Sequence, residues 1–160
     1  MILAGIPSKP TDVPVSDPTV TSDTQIKVSW ANPVPADNGS PILSYELQMD
    51  DGVTGDFVSI LGFDANSLLK TKTVTVSVIK GRQHRFKYRA KNLVGWGPFS
   101  ADSFVFAATK PRTPPIPYFD SFIIDTLSIA IPRSEDNGGS VITSYELWVD
   151  DGNDFTSSFH

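Results

Sequence analysis

His84 and His160 are the only histidines in the chain, and cysteine is absent. A hydrolytic triad or a histidine metal site needs partners that this sequence does not offer. Thiol catalysis, thiolate metal sites and disulfides are ruled out. The residues therefore point to no catalytic group, no metal and no cofactor, and His84 is expected to be structural. Two acidic turns, MDDGVTGD (49–56) and VDDGND (149–154), cluster the carboxylates that a hard cation such as calcium takes as ligands. Neither has EF-hand spacing, and Asp-Gly pairs are common turn builders in β proteins, so the turn reading is preferred. Asn38-Gly39-Ser40 matches the N-glycosylation pattern on an expected exposed loop, which makes Asn38 a candidate glycan site if the protein is secreted. Lys80, Arg82, Arg85, Lys87, Arg89 and Lys91 form a basic run that suggests a polyanion site at first sight. There is no Arg-Gly-Asp motif and no phosphate loop.

The elements that position these residues read as strands. Ile26, Val28 and Trp30 alternate with polar residues, as do Tyr45, Leu47 and Met49, then Val74, Val76 and Val78, then Phe86, Tyr88 and Ala90. FVSILGF (57–63) and FSADSFVFAA (99–108) are further candidates, and TDVPVSDPT (11–19) carries prolines that restrict it to an edge. Thirteen prolines and eleven glycines suit many turns and little helix. Hydrophobic residues make up 39% and charged residues 19%, as in ordinary globular proteins. A net charge of −5 argues against a general nucleic-acid binder. No apolar run approaches membrane-spanning length, so no membrane insertion is expected within this sequence. Alternation turns Arg85, Lys87, Arg89 and Lys91 outward on one strand and Glu46, Gln48 and Asp50 outward on another.

The chain also repeats itself. SYELQMDDG (44–52) returns as SYELWVDDG (144–152), and ADNGSPIL (36–43) as EDNGGSVIT (135–143) with one extra glycine. Val28, Trp30 and Pro33 align with Leu127, Ile129 and Pro132. A period of about a hundred residues is the length of a small domain.

The leading prolines of PSKP, Trp30 of QIKVSW, DNGSPILSYEL, and FKYRAKN followed by GWGPFS resemble a fibronectin type III domain. The resemblance implies an all-β, seven-stranded fibronectin type III (immunoglobulin-like) β-sandwich followed by an incomplete second copy, with strands A, B and E facing C, C′, F and G. It also implies that the strands carrying Glu46 and Arg89 are neighbours, so a cross-strand charge ladder, at about 0.2–1 kcal/mol per pair, is preferred to polyanion binding. Residues 1–6 then end a preceding repeat or linker, 7–109 form one repeat, and 110–160 form the N-terminal half (strands A to C) of a second. Ile2 and Leu3 are expected to lie apart from the core around Trp30 and Tyr88. A piece of about fifty residues buries too little to fold alone.

In the family a tyrosine opens strand F and ties down the preceding turn. Counting back from Phe86 places His84 there, directed at the backbone of 78–81 and replaceable by tyrosine. The loops carrying Asn38-Gly39 and Gly95-Trp96-Gly97 share one end of such a domain, where the chain enters. Asn38, Gly39, Gly95, Trp96 and Gly97 are therefore the expected interdomain contacts, with Trp96 packed on the linker 5–10 or on a preceding repeat, or else serving as a lid on its own core.

The resemblance implies a structural or adhesive spacer and interaction module in a large multi-repeat protein. Its partners would be neighbouring repeats, other chains of a filament, or cell-surface proteins, at an extracellular or cell-surface location. An intracellular cytoskeletal or ciliary array, and an accessory spacer of a larger enzyme, are the alternatives.

Overall fold

The computed structural model describes residues 4–32 and 38–150. Ile2, Leu3 and His160 lie outside them, and with them the expectation for the first few residues. Among the described residues there are nine strands and no helix. The first seven are β1 (Val15–Ser16), β2 (Ile26–Ser29), β3 (Ser44–Asp50), β4 (Phe57–Leu61), β5 (Thr71–Val74), β6 (Gln83–Lys91) and β7 (Ser103–Phe106). They form two antiparallel sheets, ordered β1-β2-β5 and β4-β3-β6-β7.

The period-two pattern predicts which side chains meet between the sheets. Along β6, His84, Phe86, Tyr88 and Ala90 are buried while the residues between them are not. Register sets Tyr45 opposite Ala90, Leu47 opposite Tyr88 and Met49 opposite Phe86. From the facing sheet come Ile26, Val28 and Val74, with Trp30 just beyond β2. The Trp30 and Tyr88 rings pack tilted at 6.1 Å, an aromatic contact contributing about 0.5–1.5 kcal/mol beyond burial alone. Burial lifts the Tyr88 hydroxyl to a pKa of about 12.

Three departures from the sequence pattern have local causes. β1 is two residues long because Pro14 and Pro18 bracket it, and proline has no N–H for the ladder. β5 stops at Val74, so Val76, 75% exposed, is not a core residue. Ser77, with a φ of 64°, turns the chain out of the extended conformation there.

Residues 110–150 contain one hairpin, β8 (Tyr118–Ile123) and β9 (Thr126–Ala130). The expected third strand of this segment does not form: residues 144–150 join no strand ladder among the described residues, and Tyr145, Leu147 and Trp148 are exposed. In the first copy β3 is bonded on both sides, by β4 and β6. Without flanking strands an extended segment has no ladder to join.

Candidate interdomain contact site

One pole of the sandwich is built where the chain approaches β1. Asn92, at the end of β6, is only 1% exposed. Its carboxamide oxygen accepts the Val94 and Gly95 N–H groups (2.9 and 3.2 Å), closing the β6–β7 turn as an Asx turn. Its Nδ2 donates to the Gly5 carbonyl at 2.6 Å. Asn38 completes the grip, donating through Nδ2 to the Ile6 carbonyl (2.7 Å) and Ser8 Oγ (3.3 Å), while its own carbonyl accepts the Gly5 N–H (2.9 Å). Gly97 passes so close to the Pro7 carbonyl that any Cβ there would collide with it. Gly95 faces Ile6, since a Cβ there would lie 3.6 Å from its Cγ2. The structure thus gathers Asn38, Gly95 and Gly97 around residues 5–8, and Gly39 follows Asn38 with a φ of 86°.

The Asn38 nitrogen that a glycan would occupy is the one holding Ile6 and Ser8. Glycosylation leaves a single N–H there, so one of the two bonds would be lost.

Trp96 departs from its expected place against the linker. It pairs with Lys91 and lies on the outer face of the four-stranded sheet, stacked on Phe63 at 6.2 Å. Arg89 sits over the Trp96 ring at 4.8 Å and Lys91 at 5.3 Å. The row continues, with Arg89 over Phe99 (4.3 Å), Lys87 over Phe99 (4.9 Å) and Phe57 (3.7 Å), and Arg85 over Phe57 (4.9 Å). The ring is drawn to the cations because its face is the negative pole of its quadrupole, worth about 0.5–1 kcal/mol per exposed contact.

All four cations of the basic stripe therefore lie over rings, and two of them are also ion-paired. Glu46 Oε2 accepts Arg89 Nε at 2.6 Å and Asp50 Oδ2 accepts Arg85 Nε at 2.8 Å. The carboxylates are not the exposed partners that alternation suggests, since Glu46 is 1% and Asp50 3% exposed. Asp51, next in sequence, accepts the N–H groups of Val53, Thr54 and Gly55 and the Thr54 hydroxyl. That hydroxyl and those amides hold its pKa well below the usual carboxylate range.

His84 is fully buried and joins two pieces of backbone. Ile79 N–H donates to Nε2 (3.2 Å), so Nδ1 carries the hydrogen and faces the Asp50 carbonyl at 3.2 Å. A Cβ on Gly52 would lie 2.7 Å from the imidazole Cε1, so the ring packs directly against the backbone of Gly52.

Sequence reasoning overlooked Asn92 as a linker contact. Its signal was present: an asparagine ending a strand, with glycine three residues on, is the pattern of an Asx turn.

No family model matches the chain. The chain is similar to fibronectin type-III domain-containing protein 3a of chicken (Gallus gallus), 29% identical over 127 residues. That match spans 77% of this chain but only 10% of the relative. Among solved structures, the sixth fibronectin type III domain of human fibronectin type III domain containing protein 3 superposes with a TM-score of 0.53 at 21% identity, covering 71% of this chain and 94% of that one. Domains A168–A170 of titin superpose with a TM-score of 0.54 at 18% identity, covering 65% and 33%. The two-sheet sandwich has the fibronectin type III fold.

Proposed function

We propose that the chain is a spacer and protein-interaction unit of a larger multi-repeat protein, with a structural or adhesive role at the cell surface or in a filament. One observation carries this reading: an Asn-Gly turn recurs, and each time one of its carbonyls holds the chain that leads into it. The Asn38 carbonyl accepts the Gly5 N–H at 2.9 Å, and the Gly138 carbonyl accepts the Thr109 N–H at 2.8 Å. Each turn fastens the stretch that leads into its own copy, as successive units of an array require. Residues 110–160 are then the beginning of a second repeat, and the partners are neighbouring repeats together with chains docking on the sheet faces.

The proposal includes no reaction chemistry, and the residues 7–109 serve as a folded length with an adhesive face. In the parent protein, exchanging them for an unrelated repeat of the same fold should preserve a pure spacer and abolish a specific contact. Antibody labelling of intact cells supports the surface location; labelling only after permeabilisation sinks it. The intracellular array is the second reading, and it is favoured by Asn38, whose amide is occupied by Ile6 and Ser8.

A further inference from the structure

The opposite pole of the sandwich carries a second constellation, at the turn between β5 and β6. Lys80 Nζ lies 3.2 Å from Asp23 Oδ2, in the β1–β2 turn, and 3.0 Å from Asp136 Oδ1 in the segment after β9. Gly81 follows, its N–H bonded to the Ala107 carbonyl at 2.8 Å, just beyond β7. Across from it stands the turn Asp136-Asn137-Gly138-Gly139. A Cβ on Gly81 would come 3.0 Å from the Gly139 carbonyl oxygen, and one on Gly139 3.0 Å from the Gly81 nitrogen. The two backbones approach so closely that neither glycine leaves ordinary room for a Cβ, and Lys80 Cγ lines the same gap. Gly138 is buried although residues 111–120 are all exposed, and a Cβ on it would collide with the Thr109 carbonyl. Asp136 adds a backbone bond, its carbonyl accepting the Arg112 N–H at 2.9 Å.

We propose that the Lys80–Gly81 turn is the docking surface for the Asp-Asn-Gly-Gly turn of the following repeat, and that this contact sets the angle between adjacent repeats. The inference rests on the array reading above and names the surface by which its units meet. The glycine contact and the lysine have different tasks. Exposed ion pairs are weak and screened by salt, and Lys80 and Asp136 are both more than 40% exposed. Backbone-to-backbone approach, by contrast, leaves no slack, so the glycines fix the geometry while Lys80 selects an acidic turn. The extra glycine of the second copy, Gly139, is the residue that meets Gly81. The fitting partner is a fibronectin type III repeat whose turn pairs an aspartate with consecutive glycines. A repeat lacking that aspartate is not selected.

The test uses the full 160-residue chain, which has no native cysteine to confuse labelling. Spin labels at Ser59→Cys and Asp125→Cys report the distance between the two segments by double electron–electron resonance. A narrow distribution is expected in the otherwise unaltered chain. Gly139→Val should at least double its width. Asp136→Lys should broaden it at low salt, and adding Lys80→Asp to that variant should restore it. Melting of the first repeat should be unchanged in Gly139→Val and Asp136→Lys, both of which lie outside it. A broad distribution in the unaltered chain overturns the docking proposal while leaving a flexible spacer array standing. An unchanged width in Gly139→Val overturns it as well. If Gly139→Val broadens merely by disrupting its own turn, the charge swap decides: failure of the swap to narrow the Asp136→Lys distribution also overturns the proposal. The array reading is tested separately, by the repeat exchange and cell labelling.

Discussion

Ser44–Asp50 and residues 144–150 differ only at Gln48/Trp148 and Met49/Val149, yet they have different fates. The first is a strand bonded on both sides with Leu47 fully buried; the second forms no strand, and its Leu147 is 42% exposed. Identical apolar residues at identical spacing do not make a strand by themselves. Pairing partners do, because the ladder bonds and the covering sheet come from residues distant in sequence.

The sharpest way to break this comparison is the matched pair Leu47→Ala and Leu147→Ala. The first should cost about 2–5 kcal/mol in chemical denaturation, as truncation in a packed core does. The second should stay within about 0.5 kcal/mol, as surface substitutions do; equal losses would mean that residues 144–150 are covered in solution. Next in size is His84→Tyr. The imidazole, with no exposed surface, holds Asp50, the last residue of β3, to the turn at Ile79. Overpacking there should cost about 1–3 kcal/mol, and a neutral or stabilising result would show that the corner adapts. Glu46→Gln, which removes the charge from a buried hydrogen bond to Arg89, should cost about 1.5 kcal/mol. Glu146→Gln, at an exposed position, should leave the same unfolding curve unmoved.

The smallest effect is acid sensitivity of the first copy. The Thr19 hydroxyl and Lys27 beside Asp17 depress its pKa to about 2, against about 3.9 when unfolded. A depressed carboxylate contributes stability above the unfolded value, and that contribution fades as pH falls from about 4 toward 2. Asp17→Asn should flatten this limb of the stability–pH curve; an unaltered acid limb would show that the Thr19 and Lys27 contacts are not maintained.

Alternation alone identified the inward residues of β3 and β6, since a half-buried sheet writes its register into every second residue. The position of His84 was legible by counting along one strand. Its bond from Ile79 falls within the 78–81 backbone it was expected to face, whereas its second partner, the Asp50 carbonyl, was not legible, because that depends on where β3 ends beside the corner. Trp96 illustrates the same limit. Glycines on both sides suggested a loop contact, but its partner Phe63 closes the 57–63 strand candidate more than thirty residues away, and no pattern along the chain pairs the two. The Lys80–Asp136 contact joins two turns more than fifty residues apart, and only the repeated Asp-Asn-Gly hinted at it.

The three tryptophans occupy three different surroundings. Trp30 is enclosed in the core, Trp96 is half-covered beneath Arg89, and Trp148 is 52% exposed. Indole emits at shorter wavelength in apolar surroundings than in water, and a nearby cation alters its brightness. The protein thus carries separate optical readouts for the sandwich interior, the cationic face and the second segment. Substituting any two of the three by phenylalanine isolates the remaining signal, so unfolding of the core and loosening of residues 144–150 become distinguishable by fluorescence without an attached dye.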